Sequence, residues 1–237
     1  MKNQYFGDIN DYKKYSLLRL LSGQGEIKTA VCWVLTEDDS SSDGKRTTYL
    51  EKPEIWRKYD PIVYQHLREH VIDQGVRNVS TIEHHNILPN CCFYGDVISD
   101  DIKSRDHFFK KFLKFAKGVD LVFFDPDNGL EVKSVPRGKR KSSKYIYWSE
   151  VEASYKSGHS LLLYQHFPRM SRESFIYGLV QRFKELEHIP SVFSYCTYHV
   201  AFLLIPQPKH EKLFDSNTAQ ISRNWGDIIR VRKYCIA

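Results

Sequence analysis

A rhythm constrains this chain more than any single motif. Apolar runs too short to be helices alternate with longer segments whose apolar residues recur at helical spacing. The runs are Thr29–Leu35 ("TAVCWVL"), Val79–Glu83, Cys91–Tyr94, Asp120–Phe124 and Ser160–Tyr164 ("SLLLY"). Between them, 10–22 carries Leu17, Leu18 and Leu21 on one stripe, and 53–73 has Pro53 and Pro61 near helix starts. Further on, 107–117 repeats Phe108, Phe112 and Phe115, 149–156 reads as helical, and 172–187 repeats Phe175, Leu179, Phe183 and Leu186. Strands that alternate with helices predict a mostly parallel sheet covered on both faces. Residues 191–197 and 199–205 lie too close for a crossover and must be antiparallel neighbours. A helix and a last short strand, Ile228–Val231, complete the chain. The expected fold is α/β: a Rossmann-like, doubly wound, mostly parallel sheet with a terminal antiparallel strand pair. A small helical insertion at 40–75 follows the first strand, within one domain spanning 1–237.

Composition excludes other classes. Hydrophobic residues make up 41% and aromatics 14% of 237, enough to bury a core without staples. Cys32, Cys91, Cys92, Cys196 and Cys235 form no CxxC pair, so buried thiols are expected rather than a zinc site or a disulfide framework. "MKNQYFGDIN" lacks a signal core, and no apolar run could cross a bilayer. A soluble, cytoplasmic protein without a membrane partner is expected. The net charge of +6 is unevenly spread: "KSVPRGKRKSSK" at 133–144 holds six cations and no acid. Such a segment reads as a mobile basic loop, serving either solubility or phosphate contact.

The carboxyl ends of the predicted strands carry acids. The first runs into Glu37, Asp38, Asp39 and Asp43, the second ends at Glu83, the third at Asp96 and the fourth at Asp125; the fifth ends in Gln165 and His166. Open parallel sheets bind ligands at this edge. Glu83 can accept from ribose hydroxyls and Asp96 from an adenine amino group, and each can equally be a loop acid. "DPDNG" suits a tight turn, yet an apolar strand delivers Asp125 to the ligand edge and Pro126 fixes the backbone beyond it. His166 can touch substrate beside Asp125 or be a satisfied strand-end histidine.

Several segments, taken in order, resemble the RlmJ-type adenine-N6 methyltransferases of large-subunit ribosomal RNA. "GDINDYKKY" is similar to that family's opening GN-x-x-D-x-x-KH, with Gly7, Asp11 and Lys14 in matching places. "DLVFFDPDNGLE" resembles the strand that leads into its DPPY, "LLLYQHFP" the strand that carries its WYP, and "FLLIPQPKHEKLFDSNTAQISRNW" its closing strand and helix. Bacterial proteins that open with YFGD and carry DPDNG look closer still. The resemblance implies S-adenosylmethionine as cofactor and nucleic acid as partner. Asp125 and Pro126, with Asn128 and His166 beside them, would face the target adenine. Asp11, Lys14, Gly44, Glu83 and Asp96 would surround the cofactor. Lys110, Lys114, Arg137, Lys139, Arg140 and Lys141 would hold phosphates. Asp127 and Asn128 replace the family's second proline and stacking aromatic, so stacking would fall to Tyr145, Tyr147 or Trp148. "TEDDSSSDGK" keeps one glycine, Gly44, after the first strand.

Two other readings stand beside methyl transfer. One is a module of the same fold that binds a nucleotide or nucleic acid without chemistry. The other is a magnesium-dependent nuclease built on Asp127, Glu131 and Lys133, although too few residues separate the two acids for the usual second strand.

Overall fold

The apolar runs pair into one sheet, with a single exception. The computed structural model describes residues 1–39 and 43–236. Its strands are β1 (Thr29–Cys32), β2 (Cys91–Tyr94), β3 (Leu121–Phe124), β4 (Gly129–Leu130), β5 (Tyr145–Ile146), β6 (Ser160–His166), β7 (Ser191–Cys196), β8 (Val200–Ile205) and β9 (Arg230–Cys235). Seven form the central sheet in the order β2-β1-β3-β6-β8-β7-β9; β4 and β5 make a separate parallel pair. β2, β1, β3 and β6 are parallel, β8 runs against β6, and β7 is antiparallel to both β8 and β9. The result is a mixed α/β, Rossmann-like arrangement around a mostly parallel sheet.

The period-2 geometry of a strand sends alternate residues to opposite faces. Val31, Phe123, Leu162 and Phe202 therefore enter one core, together with Tyr12 and Leu17 of α1 (Ile9–Leu21), Val63 and Leu67 of α3 (Pro61–Arg68), and Phe214 and Trp225 of α8 (Glu211–Trp225). Cys32, Val122, Phe124 and Leu163 enter the other, with Phe108 and Phe112 of α5 (Ile102–Phe115), Val151 of α6 (Trp148–Lys156), and Val180 and Phe183 of α7 (Arg172–Phe183). Burial on both faces explains why the central strands read as unbroken apolar runs. Helix starts follow their caps: Asp8 accepts from Asn10 N, Asp60 from Val63 N at 3.1 Å, and Asp101 from Ser104 N at 2.8 Å.

Two expectations are corrected. Val79–Glu83 is not a strand; Ser80–His84 is helix α4. Val79 and Ile82 are both buried three residues apart, which is helical spacing rather than alternation. β1 stops at Cys32 rather than Leu35, because Val34 takes φ 49°, a conformation that ends the strand. The helical stretch 53–73 holds α2 (Pro53–Trp56), α3 and a π-turn at Glu69–Asp73, and Pro53 and Pro61 each open a helix as expected. "DPDNG" carries the chain from β3 into β4, where Gly129 pairs with Tyr145 of β5. Of the expected insertion and of the acidic patch at 38–44, residues 40–42 lie outside the described residues. No helix among the described residues is long and apolar enough to cross a membrane.

Candidate cofactor cleft at the carboxyl ends of the strands

From β1 the chain passes to β2 on one side and then to β3 on the other, so the order of the sheet reverses at the β1/β3 pair. Asp125 is the first residue past β3, and its N–H donates to Cys32 O at 3.0 Å, extending the ladder. The carboxylate is buried. Lys14 Nζ lies 2.6 Å from Asp125 Oδ2 and 2.6 Å from Asp11 Oδ1. One turn of α1 separates Asp11 from Lys14, which places both on the buried face. The second oxygen of Asp11 accepts from Gly7 N at 3.1 Å, where Gly7 turns the chain at φ 84°. Gly7, Asp11 and Lys14 thus form one unit that grips the end of β3.

Rings close around the ammonium: Tyr15, Trp33 and Tyr164 lie 5.0, 5.6 and 6.0 Å from Lys14 Nζ. Burial opposes the charge of Lys14, but Asp11 and Asp125 outweigh it and hold the ammonium above its ordinary value. Burial pushes Asp11 up to about 6 against the pull of Lys14, with Asp125 adding to the rise.

The backbone beyond Asp125 is pinned on both sides. The Met1 amino group donates to Val34 O at 3.1 Å and Asp125 O at 3.0 Å, and meets Asp127 Oδ1 at 2.8 Å. Thr36 Oγ1 donates to Asp127 Oδ2 at 3.1 Å. Burial alone would raise Asp127, but the Met1 amine, Lys144 and the Thr36 hydroxyl hold it below the usual carboxylate range. Asn128 N donates to Lys144 O, and Asn128 O accepts from His166 N, each at 3.0 Å. His166 Nε2 meets the Tyr164 hydroxyl at 3.1 Å. Desolvation, then the Arg46 cation, hold His166 below its ordinary value.

Above these groups opens a cleft of about 520 Å³, within the size range of small-molecule sites. Asp125, Pro126, Asn128, His166, Asp11, Lys14 and Gly44 all line it. The structure therefore brings the expected catalytic group together with three of the five expected cofactor residues. Glu83 and Asp96 are not among the described residues that line it. Glu83 Oε1 accepts from Trp33 Nε1 at 2.6 Å, and Asp96 Oδ2 from the Tyr94 hydroxyl at 2.9 Å. Glu83 sits on α4 rather than at a strand end, and Asp96 follows β2, one strand outside the β1/β3 pair.

Side chains that motif reasoning passed over complete the wall. Asp8, Arg46 and Tyr5 line the cleft, and Arg46 donates to both oxygens of Asp8. Asn10 also lines it; its Oδ1 is buried and has no hydrogen-bond partner among the described residues. The signal for Tyr5, Asp8 and Asn10 was available in "YFGDIN", at the opening of α1. Tyr145, Tyr147 and Trp148 do not line the cleft. The Tyr147 hydroxyl bonds Val135 O at 2.9 Å, and Trp148 packs edge-on against Phe183.

The basic residues lie elsewhere. Lys110 and Lys114 are exposed on α5. Arg137 pairs with Asp106 and with Glu150, the latter at 3.4 Å. Lys139 and Arg140 are exposed, and Lys141 N donates to Asp100 Oδ2 at 2.7 Å. Of the other acid–lysine set, Asp127 lines the cleft, whereas Glu131 accepts from Trp148 N at 3.3 Å and Lys133 is exposed.

No family model matches the chain, and no curated protein matches it. One solved structure similar to it is a Legionella pneumophila str. Philadelphia 1 protein with the family-model label DUF519. It aligns over 98% of this chain and 98% of that one, at 11% identity and a TM-score of 0.44.

Proposed function

We propose that this cleft binds S-adenosylmethionine and that the protein methylates an exocyclic amine of a nucleic-acid base, adenine N6 in the first instance. The observation that carries this reading is the position of Asp125. It lies at the reversal point of the sheet, next to Pro126, in a cleft that also holds Asp11 and Lys14. Ligands of open α/β sheets occupy this crevice. The strand order, with the antiparallel β8, β7 and β9 beside four parallel strands, supports the same reading.

The lining suits the cofactor. Five carboxylates, Asp8, Asp11, Asp43, Asp125 and Asp127, line the cleft beside Lys14, Lys45, Arg46 and the Met1 amine, a mixed polar wall that offers acceptors to a ligand with a sulfonium and an ammonium. The buried Asn10 Oδ1 is an acceptor that a ligand amino group would satisfy. When bound, the cofactor supplies an electrophilic methyl group. Asp125 accepts a hydrogen bond from the base amine and aims its lone pair. Lys14 balances the paired charges of Asp11 and Asp125. Tyr5 takes the stacking role that position 128 lacks here. The work of the chain is positioning, since methyl transfer needs little acid–base power.

Isothermal titration with S-adenosylmethionine, followed by transfer of a labelled methyl group to RNA and DNA pools, tests this reading. Saturable binding and labelled nucleic acid are expected. Asp125→Asn should lower transfer by about 10² or more while leaving cofactor affinity within a few-fold. No binding of the cofactor overturns the reading. Binding without transfer to any pool selects the module without chemistry, which the ionic engagement of Asp127 in place of a proline favours.

A further inference from the structure

Away from the cleft, three imidazoles meet. His66 on α3 and His70 in the π-turn stand four residues apart on one helical face, and His85 caps the end of α4. Their ring centroids lie 4.2, 5.2 and 5.0 Å apart. One ring nitrogen from each lies within 4.8 Å of the other two. His66 and His70 are buried. No carboxylate bonds any of the three rings among the described residues.

The hydrogen bonds fix which nitrogens are free. His70 Nδ1 lies 2.9 Å from His66 O, and His85 Nδ1 lies 2.7 Å from Thr81 O. A carbonyl oxygen only accepts, so each Nδ1 carries the proton and each Nε2 keeps its lone pair. This is the outer support that metal-binding histidines show, in which the distal N–H is anchored on a backbone carbonyl. His66 Nε2 is buried and has no partner among the described residues. A buried nitrogen without a partner is destabilising. An ion shared by the three lone pairs removes that cost and gives a reason for the rings to converge.

We propose that His66, His70 and His85 bind one divalent transition-metal ion of the zinc class through their Nε2 atoms. Imidazole suits zinc, copper and nickel rather than magnesium or calcium. With ligand bonds of about 2.0–2.1 Å, the ligating nitrogens would lie roughly 3.3 Å from one another. Three histidines leave a fourth position for water. His85 is exposed, which places that position at the surface. The ion would tie the helical segment after β1 to α4, two elements with no strand between them. The site is independent of the cleft and of the activity proposed for it.

Untagged, chelator-treated full-length protein should bind one Zn²⁺ per chain in a saturable titration and rise in melting temperature. With Co²⁺ it should show the visible bands of nitrogen-coordinated cobalt. His85→Gln alters an exposed side chain and should weaken binding by about 10-fold or more; His66→Gln should remove the cobalt bands. His84→Gln, at the exposed neighbour, should leave both unchanged. Absence of saturable binding by the unaltered chain, or His85→Gln binding as tightly as the unaltered chain, overturns the proposal.

Discussion

Lys14 and Asp125 stand 111 residues apart in the chain and 2.6 Å apart in the fold. Their contact joins the first helix to the end of the central strand β3, and Asp11 completes it. Removing the cation leaves two carboxylates facing each other in a buried site. Lys14→Met should therefore cost about 3–5 kcal/mol. Adding Asp11→Asn and Asp125→Asn to that variant should restore most of the loss, because no uncompensated charge remains. Urea unfolding midpoints of the single and triple variants measure this. Equal midpoints would show that the network contributes little to stability.

The same network makes stability depend on pH. Burial raises Asp11 from 3.8 to about 6. Between those values the folded chain keeps a proton that the unfolded chain has released. Unfolding then loses a proton, so the contribution is full below about pH 4 and falls as pH rises to about 6. The unaltered chain should exceed Asp11→Asn in stability by more at pH 4 than at pH 7, by about 1–3 kcal/mol. Chemical denaturation of both proteins at the two pH values checks the sign. A gap that widens toward pH 7 would contradict it.

Much of this was legible in the sequence because the strands are buried on both faces. "LVFF", "SLLLY" and "VAFLLI" could be little else, and the short link between 197 and 199 demanded an antiparallel pair. Asp125 was legible because a strand end fixes where the next residue goes. Glu83 was misplaced for a local reason: Val79 and Ile82 fit a helix, and "VSTIE" is too short for period alone to decide. The Met1 amine and Arg46 reach the cleft only through tertiary contacts. The histidine trio had half a signal, His66 and His70 at helical spacing, but His85 joins them from another element.

Arg105 anchors the basic segment that composition singled out. It is buried and gives both oxygens of Glu150 a partner, at 2.6 and 2.9 Å, while bonding Ser142 O and Tyr145 O at 3.0 and 2.6 Å. Arg105→Met should leave Glu150 buried with the 3.4 Å contact to Arg137 as its one remaining cation and the Tyr147 amide at 2.9 Å as its remaining backbone donor, at a cost of about 3–5 kcal/mol. The hold on Ser142 and Tyr145 would go with it. Limited trypsin digestion should then cut faster at Lys139, Arg140 and Lys141 than in the unaltered chain. Unchanged cleavage at those sites would show that Asp100, which bonds the Lys141 and Ser143 amides, suffices alone.

Gly129 and Gly158 separate two effects of a glycine. Both have positive φ, 118° and 89°. A Cβ on Gly158 would meet nothing within 4 Å, so Gly158→Ala should cost only the backbone penalty, about 1–2 kcal/mol. A Cβ on Gly129 would lie 2.5 Å from Gln165 Cδ and Oε1. That amide is already committed, accepting from Leu130 N at 2.8 Å and donating to His166 O at 2.8 Å. It cannot swing aside without orphaning buried groups between β4 and β6, each worth about 1–3 kcal/mol. Gly129→Ala should therefore lose several kcal/mol more than Gly158→Ala. It should also slacken the Asn128 backbone, which His166 N holds at 3.0 Å. Thermal unfolding of the two variants side by side measures the difference, and equal losses would mean that Gln165 has room to move.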